Sequence, residues 1–251
     1  MAQGFAPWSG SGTPVGQLRG ATLDTASPPT TATLAELARC VRILGAPVPT
    51  VWCLSEEASL SGQWPTITPL GTSHGDMHHL LLDAQGLEAL DDAERRFLMG
   101  SALGHLQCDH GIMFTTCLLA RGPDAPRWTR ALRRGLQPAM KLMCFSADRA
   151  GLLCSESLDA AMEGMRHHVA ESRSAGTQWM PAPSSYDLRV TSLREFHQSD
   201  VYARVKGART ARRRDLSSDG APDSGRPHHV PDDAWSVARV DQRLTRRLGL
   251  L

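Results

Sequence analysis

The chain lacks most of the features that assign a protein to a compartment or a partner. It has no CxxC pair, no internal repeat, and no apolar run near the ~20 residues that a membrane helix needs. The N-terminal stretch MAQGFAPWSGSG is neither basic nor strongly apolar, which argues against a signal peptide. Positive and negative residues nearly cancel, with a formal net charge of +1, so the overall charge favours neither nucleic acid nor a membrane surface.

The six cysteines follow no disulfide or metal-binding spacing. Five of them lie inside apolar runs, which is typical of buried free thiols in a reducing compartment. Together with the missing signal peptide and membrane span, this pattern predicts a soluble cytoplasmic protein. The length of 251 residues, with 41% apolar residues, allows one sizeable domain with tails.

Composition divides the chain into four segments. Residues 1–32 are rich in Gly, Ser, Thr and Pro, which predicts a flexible leader. Residues 33–210 carry the apolar periodicity of a folded domain, and the polar, Pro-rich and Gly-rich residues 211–232 predict a linker. Residues 233–251 space Trp235 and later apolar side chains along one helical face. This last segment is therefore predicted to be an amphipathic helix that docks on the domain or on a partner.

The first half of the domain alternates between helical and extended patterns. Apolar spacing predicts a helix over 32–45, and short apolar runs predict strands over 48–54 and 78–82, the second followed by a short helix. The segment between these strands is predicted to be a loop with short extended pieces. A long buried helix is predicted to begin at Asp91, because Glu94 stands three residues later as in a capping box.

Three more helices are predicted in the second half of the domain. Pro126 opens the first, which Pro138 is expected to kink or divide. The next has Ser155 or Ser157 as its N-cap, and the last lies within residues 192–211. The predicted fold class is mainly α with a small β-sheet, that is, α+β.

Two segments carry the strongest hint of function. MGSALGHLQCDHG, at 99–111, and CFSADRAGLLC, at 144–154, resemble the helices lGHELGHixxgH and ExxADrxgL of gluzincin-type zinc peptidases. The family is the one typified by HtpX and the CAAX prenyl endopeptidases. SLDAAMEGM fits the helix that follows, and REFHQSDVYARV, at 194–205, resembles a degenerate form of the late HPxxxxR segment. The resemblance spans about residues 33–210 and implies a zincin-like metallopeptidase domain.

The register of the first motif decides what chemistry remains. In HExxH the two histidines, four residues apart, bind one zinc, and the Glu acts as general base on the metal-bound water. Aligning LGH at 103–105 with the same letters of the family, and His110 with its trailing His, puts Ser101 at the first ligand. Ala102 then falls at the catalytic Glu. Only His105 is left of this motif.

The second motif has also lost its ligand. The Glu that would supply the third zinc ligand falls on Cys144, whereas Asp148 matches an Asp with a supporting role near the metal in the family. A methyl group at Ala102 cannot deprotonate water, and a hydroxyl at Ser101 is a poor zinc ligand at neutral pH. The resemblance therefore implies a pseudopeptidase without catalytic residues, metal or other cofactor. Such a protein would act by binding another protein, as a regulatory or assembly subunit or as part of a larger assembly.

The principal alternative is an active soluble zinc metallopeptidase with an atypical site. His105 and Cys144 would then bind zinc, with Cys108 and Asp109 close by in sequence, since thiolate and imidazole suit that metal. Against this, Cys144 lies between apolar neighbours, where a small buried thiol usually serves as core filler. For His105 itself, the simplest interpretation is a buried imidazole that is hydrogen-bonded within the core.

Two other groups of residues have the types or spacing of a catalytic or metal-binding site. Ser101, His105 and Asp148 have the residue types of a serine hydrolase, but no GxSxG elbow surrounds the serine. A hydroxyl in the middle of a helix more often bonds a carbonyl one turn earlier. His74 and His78 have HxxxH spacing, but the Gly and Asp between them indicate an exposed loop.

The remaining polar residues are interpreted as structural or solvated. Asp148, next to Arg149, is expected to form a hydrogen bond or ion pair that holds the two long helices together. The pairs His167–His168 and His228–His229 are expected at the surface. ARTARRR, at 208–214, could touch phosphates, but so short a run is usually solvated, so nucleic acid is not expected as a partner.

Overall fold

The structure is a computed structural model, and it describes residues 29–60, 64–71, 78–119, 127–172 and 184–207. The predictions made for the leader up to residue 28, for the linker and for the C-terminal helix therefore lie outside the described residues. The same holds for His74, for the pair at 228–229 and for the basic run at 208–214.

The described residues are mainly helical with one small sheet, which confirms the α+β class. None of the described helices is long and apolar enough to cross a membrane. A further helical stretch covers residues 200–207. In chain order the elements are α1 (Thr31–Leu44), β1 (Thr50–Cys53), α2 (Glu56–Leu60), β2 (Ile67–Gly71), β3 (His78–Leu82), α3 (Ala84–Glu88), α4 (Asp92–Gln107), α5 (Gly111–Leu119), α6 (Arg127–Ser155), α7 (Leu158–Ser172) and α8 (Tyr186–Gln198).

Local side-chain chemistry sets the ends of the first and fourth helices. Thr30 caps α1 by accepting a hydrogen bond from the Thr33 amide, and Gly45 ends the helix at φ 60°, which glycine adopts without strain. At the start of α4, the Asp91 carboxylate accepts from the Glu94 amide while the Glu94 side chain reaches back to the Asp91 amide. This is the predicted capping box, and it is confirmed.

The sheet has three strands in the order β1-β3-β2. β1 runs parallel to β3, with Thr50 opposite His79, and β2 runs antiparallel to β3, with Ile67 opposite Leu82. The central strand is the most buried, since Leu80, Leu81 and Leu82 have no exposed surface. β3 therefore anchors the sheet in the core, and β1 and β2 form its edges.

Helices α4 and α6 pack against each other through glycines. A Cβ atom on Gly104 would lie 2.6 Å from the Ala150 Cβ, and one on Gly100 would lie 2.7 Å from the Cys154 Cβ. Any larger side chain at these two positions would push the helices apart, because interiors are close-packed. The glycines of α4 thus define the face that α6 covers.

Several boundaries differ from the sequence predictions. Pro138 was expected to kink or divide α6; it lies inside one continuous helix, so it does not divide it. The helix predicted within residues 192–211 corresponds to α8, which begins earlier than expected and ends at Gln198, where the amide of the C-cap residue Ser199 bonds to the Phe196 carbonyl. Of the two proposed caps for α7, Ser157 accepts from the Ala160 amide. Helices α2 and α5 were not predicted.

The cysteine prediction holds for most of the set. None of the six cysteines forms a disulfide, and five are buried, whereas Cys108 at the end of α4 is partly exposed. The exception arises because Cys108 is the C-cap residue of α4, where the helix leaves the core.

The close contact between α4 and α6 predicts that one added methyl group at this interface will lower the stability of the protein. We expect Gly104→Ala to lower the free energy of unfolding by about 1–3 kcal/mol, because the new Cβ overlaps Ala150. The matched control is Gly135→Ala in α6, where a Cβ meets nothing within 4 Å. This control should be stabilising by up to ~1 kcal/mol. Urea unfolding followed by far-UV circular dichroism measures both, and equal effects would contradict the packing described.

Candidate functional site

A small cavity lies beside His105 at the centre of the domain. It offers about 20 Å³ to the centre of a water molecule, which is room for roughly one water. β2, α4, α5 and α7 contribute its wall. The lining residues are Ile67, Pro69, Leu98, Ser101, Ala102, His105, Phe114, His168 and Glu171.

Three of the residues singled out in the zinc-helix motif meet at this cavity. Ser101 and His105 are four residues apart on α4 and therefore share one face of the helix, with Ala102 beside them. All three are buried. The cavity wall formed by α4 thus carries a hydroxyl, a methyl and one imidazole.

His105 is held within the core by its neighbours. Its Nδ1 lies 3.2 Å from Nδ1 of His110, so one of these two nitrogens donates a hydrogen bond to the other. The Phe114 ring meets the His105 imidazole edge to face, with 4.8 Å between the centroids. Burial, followed by the charge of His110, holds the pKa of His105 well below its usual value. His105 is therefore a neutral, hydrogen-bonded core imidazole.

Asp148 binds an arginine that the sequence analysis did not connect with it. Arg189 of α8 donates from Nε to Oδ2 of Asp148 at 2.8 Å and from Nη2 to Oδ1 at 2.5 Å. Both side chains are buried, with 1% and 2% of their surfaces exposed. The expected ion pair between helices is present, but the carboxylate of Asp148 joins α6 to α8 rather than to the other long helix. The neighbouring Arg149 instead lies over the Phe196 ring, 5.1 Å from its centroid.

The buried guanidinium influences the groups around it. Burial alone would lower the pKa of Arg189, but the charge of Asp148 outweighs it and the pKa is raised. The positive charge of Arg189 in turn helps to lower the pKa values of His105 and His168. A second cation next to these imidazoles would meet repulsion from this fixed charge.

Cys144 is not one of the residues that line the cavity. Burial raises the pKa of its thiol, although the Arg189 charge acts in the opposite direction. Cys144 is therefore a protonated thiol at neutral pH rather than a thiolate ready to bind metal. This environment supports the interpretation of Cys144 as core filler.

Helix α7 brings two polar residues to the cavity that the sequence analysis missed. Burial, followed by the charge of Arg189, lowers the pKa of His168 to about 4. Glu171 accepts from the amide of Thr66 at 3.2 Å and from its hydroxyl, and its Oε1 lies 3.2 Å from His167 Nε2. The prediction of a surface pair at 167–168 is therefore wrong for His168, whereas the side chain of His167 is 42% exposed. The warning signal was the spacing of Met165, His168 and Val169, which places the histidine on the apolar face of the helix.

Burial and hydrogen bonding shift the pKa of Glu171 in opposite directions. Burial favours the neutral acid, but the hydrogen bonds from His167 and Thr66 outweigh it, so the pKa of Glu171 is lowered. The bond to Glu171 in turn raises the pKa of His167 despite its partial burial. The carboxylate is therefore charged at neutral pH and ties α7 to the start of β2.

The alternative residue sets are not assembled in the described part of the chain. Both carboxylate oxygens of Asp148 bond Arg189, so Asp148 does not complete a Ser-His-Asp arrangement with Ser101 and His105. His78 begins strand β3 and is partly buried, which differs from the expected exposed loop. Within the described residues, no three His, Cys, Asp or Glu side chains are grouped closely enough to hold one metal ion.

The residues at the cavity do not fit a catalytic zinc. Such a site needs roughly three protein ligands and one open position. The α4 wall supplies one imidazole, and the thiol of Cys144 is protonated and lies elsewhere. The fixed charge of Arg189 opposes a divalent cation further.

Comparisons with known proteins do not assign the chain to a family. No family model, no curated protein and no solved structure matches it. The resemblance to gluzincin-type peptidases, and the absence of a resident metal, therefore stay predictions.

The buried histidines predict a characteristic pH dependence of stability. The unfolded chain protonates His168 near pH ~6.5, whereas the folded chain does so at about 4. Between these values only the unfolded state binds the proton, so the free energy of unfolding falls as the pH falls. The slope is up to ~1.4 kcal/mol per pH unit for each such group. His105 adds an effect of the same sign, and His167, whose pKa is raised, opposes it.

Urea unfolding at pH 7, 6 and 5 measures this slope. His168→Gln should flatten it, because the variant has one fewer proton to bind on unfolding. His167→Gln should steepen only the part of the slope above pH ~6, because the folded state binds the proton of His167 more tightly there and this opposite linkage is removed. Equal slopes in the wild-type protein and both variants would contradict the assignment of buried and paired histidines.

Proposed function

We propose that this chain is a metallopeptidase-like protein without peptidase activity, which acts by binding another protein as a regulatory or assembly subunit. The observation that carries the proposal is the α4 wall of the cavity, where Ser101 and Ala102 stand beside His105. These are the positions at which the resemblance expects the first zinc ligand and the general base.

The chemistry of the cavity supports a loss of hydrolysis. The methyl of Ala102 accepts no proton, and the imidazole of His105 is already bonded through Nδ1. Glu171 is a carboxylate in the wall, but it accepts from Thr66 and interacts with His167. A general base must reach the proton that it removes, and Glu171 is committed to holding α7 against β2.

The size of the cavity favours a binding surface elsewhere. A space for roughly one water cannot receive a peptide side chain. Val48 and Leu60, by contrast, flank β1 and α2 on the surface and are 83% and 76% exposed. Contact through the outside of the domain or through the predicted helix at 233–251 is therefore the form of binding that we propose.

A second candidate function rests on a specific observation. His105, His168 and Glu171 line the same cavity and are residue types that zinc accepts, although these three side chains would have to move closer together to hold one ion. An active soluble zinc peptidase would use these three residues instead of the expected pair His105 and Cys144. The repulsion from Arg189 and the existing bonds of Glu171 weigh against it.

The activity assay uses the full chain with unfolded casein and added zinc. We expect no metal-dependent cleavage above the background of a buffer control, because no general base is available beside His105. A zinc endopeptidase of known activity, added to parallel samples, confirms that the assay responds. Metal-dependent cleavage by the purified chain would end the proposal of an inactive protein.

Metal analysis of the same preparations separates the two candidates. The binding protein should carry well below 0.1 equivalents of zinc after dialysis. The atypical peptidase should carry close to one equivalent, and His168→Gln should lose it. Arg166→Gln is the matched control, because Arg166 lies on the same helix in an exposed ion pair with Glu163. Zinc that is bound in the control and lost in the His168 variant would favour the enzyme.

A further inference from the structure

The hydrogen-bond register shows which backbone groups of β2 face β3 and which lie on the outer edge of the sheet. Part of this outer edge borders the cavity. The Asp83 amide donates to the Thr66 carbonyl at 2.9 Å, which makes this pair one of the hydrogen-bonded pairs of the antiparallel ladder. Such pairs alternate along the ladder, so Thr68 also faces β3. The backbone groups of Ile67, Pro69 and Gly71 face away from β3, towards the outer edge. Ile67 and Pro69 also line the cavity.

At one end of this edge, a side chain of α5 takes the place of a neighbouring strand. The Thr115 hydroxyl accepts from the Gly71 amide at 3.2 Å and donates to the Gly71 carbonyl at 2.8 Å. Both outward-facing backbone groups of Gly71 are therefore bonded to one side chain. Thr115 and Gly71 are both buried.

The backbone of α5 also lies directly against the strand. A Cβ atom on Gly111 would lie only 2.9 Å from the Gly71 nitrogen. Neighbouring strands are ~4.8 Å apart, and an added strand would need this space for its own backbone. Glycine at position 111 is thus what allows the start of α5 to lie directly against β2.

At the other end of β2, α7 bonds a residue whose backbone faces β3 rather than the outer edge. Glu171 accepts from both the amide and the hydroxyl of Thr66, the residue just before β2. Between the two ends, Pro69 has no N–H to offer to a partner strand. Of the three outward-facing positions, only Ile67 has an N–H that these contacts do not use or remove.

A peptide that adds to a sheet edge depends on the backbone groups of alternate residues of that edge. Here both of these groups at Gly71 are bonded to Thr115, and Pro69 lacks the N–H. We propose that α5 acts as a built-in replacement for an extended peptide, closing the Gly71 end of the outer edge of β2 to an added strand. The closure does not depend on the lost metal ligands, so it goes beyond the proposed lack of hydrolysis.

The test follows backbone amides of the full chain, labelled with ¹⁵N, by NMR. The probe is a soluble strand-forming peptide, Lys-Thr-Val-Thr-Val-Thr-Lys, at millimolar excess. We expect no shift of the Ile67 and Gly71 amides in the wild-type protein. Saturable shifts of these two amides would overturn the proposal, because they would show that the edge accepts an extended chain.

Hydrogen exchange provides the second measurement. Thr115→Val keeps the shape of the side chain and removes the hydroxyl, so the Gly71 amide should exchange at least tenfold faster. Thr116→Val is the matched control, because the Thr116 hydroxyl bonds only the Ile112 carbonyl within α5. In this control the Gly71 amide should exchange within twofold of the wild-type rate. Unchanged exchange in Thr115→Val would also overturn the proposal.

These outcomes are distinct from a failure of the proposed function. An inactive chain whose β2 edge binds the peptide would refute the closure alone. A chain that cleaves casein but shows no shifts at β2 would refute the lack of peptidase activity and leave the closure intact.

Discussion

The close contact between α4 and α6 is the constraint on which the site depends. Gly100 and Gly104 let the two helices approach until an added Cβ would overlap the α6 side chains. This contact fixes the rotation of α4 about its own axis. Once Gly100 and Gly104 face α6, the adjacent face with Ser101 and His105 must point to the cavity, because positions four apart share one side of a helix. The packing of α4 against α6 therefore determines which side chains line the cavity, as much as the motif does.

Electrostatics at the centre of the domain follow from the same arrangement. α6 carries Asp148 beside α8, where it compensates the buried charge of Arg189. Removing one partner of such a pair lowers the free energy of unfolding by more than the intact pair contributes to it, because the remaining charge is left in a poorly solvated interior. Burial lowers the pKa values of His105 and His168, and the charge of Arg189 adds to this effect, so both imidazoles are neutral. The centre of this domain is thus organised as a core with internal hydrogen bonds, rather than as an open cleft.

The sequence predicted those parts of the fold that depend on local chemistry. The glycine at position 45 and the capping box at Asp91 set helix ends through residues a few positions apart, and β3 ends in three consecutive leucines. Strand β2 was predicted only as a short extended piece within a loop, and Pro69 is tolerated in it because its missing N–H costs nothing on an outer edge. The α4 residues of the site were found from one motif. Arg189 and Glu171 were not, because each acts through a partner 41 or 105 residues away along the chain.

The most direct test of the account is a crystal structure of the full chain soaked with zinc, with anomalous data collected at the zinc edge. The account predicts no anomalous peak within bonding distance of His105, with Arg189 still paired to Asp148. A peak at about 2 Å from His105 Nε2, with His168 or Glu171 as further ligands, would contradict it.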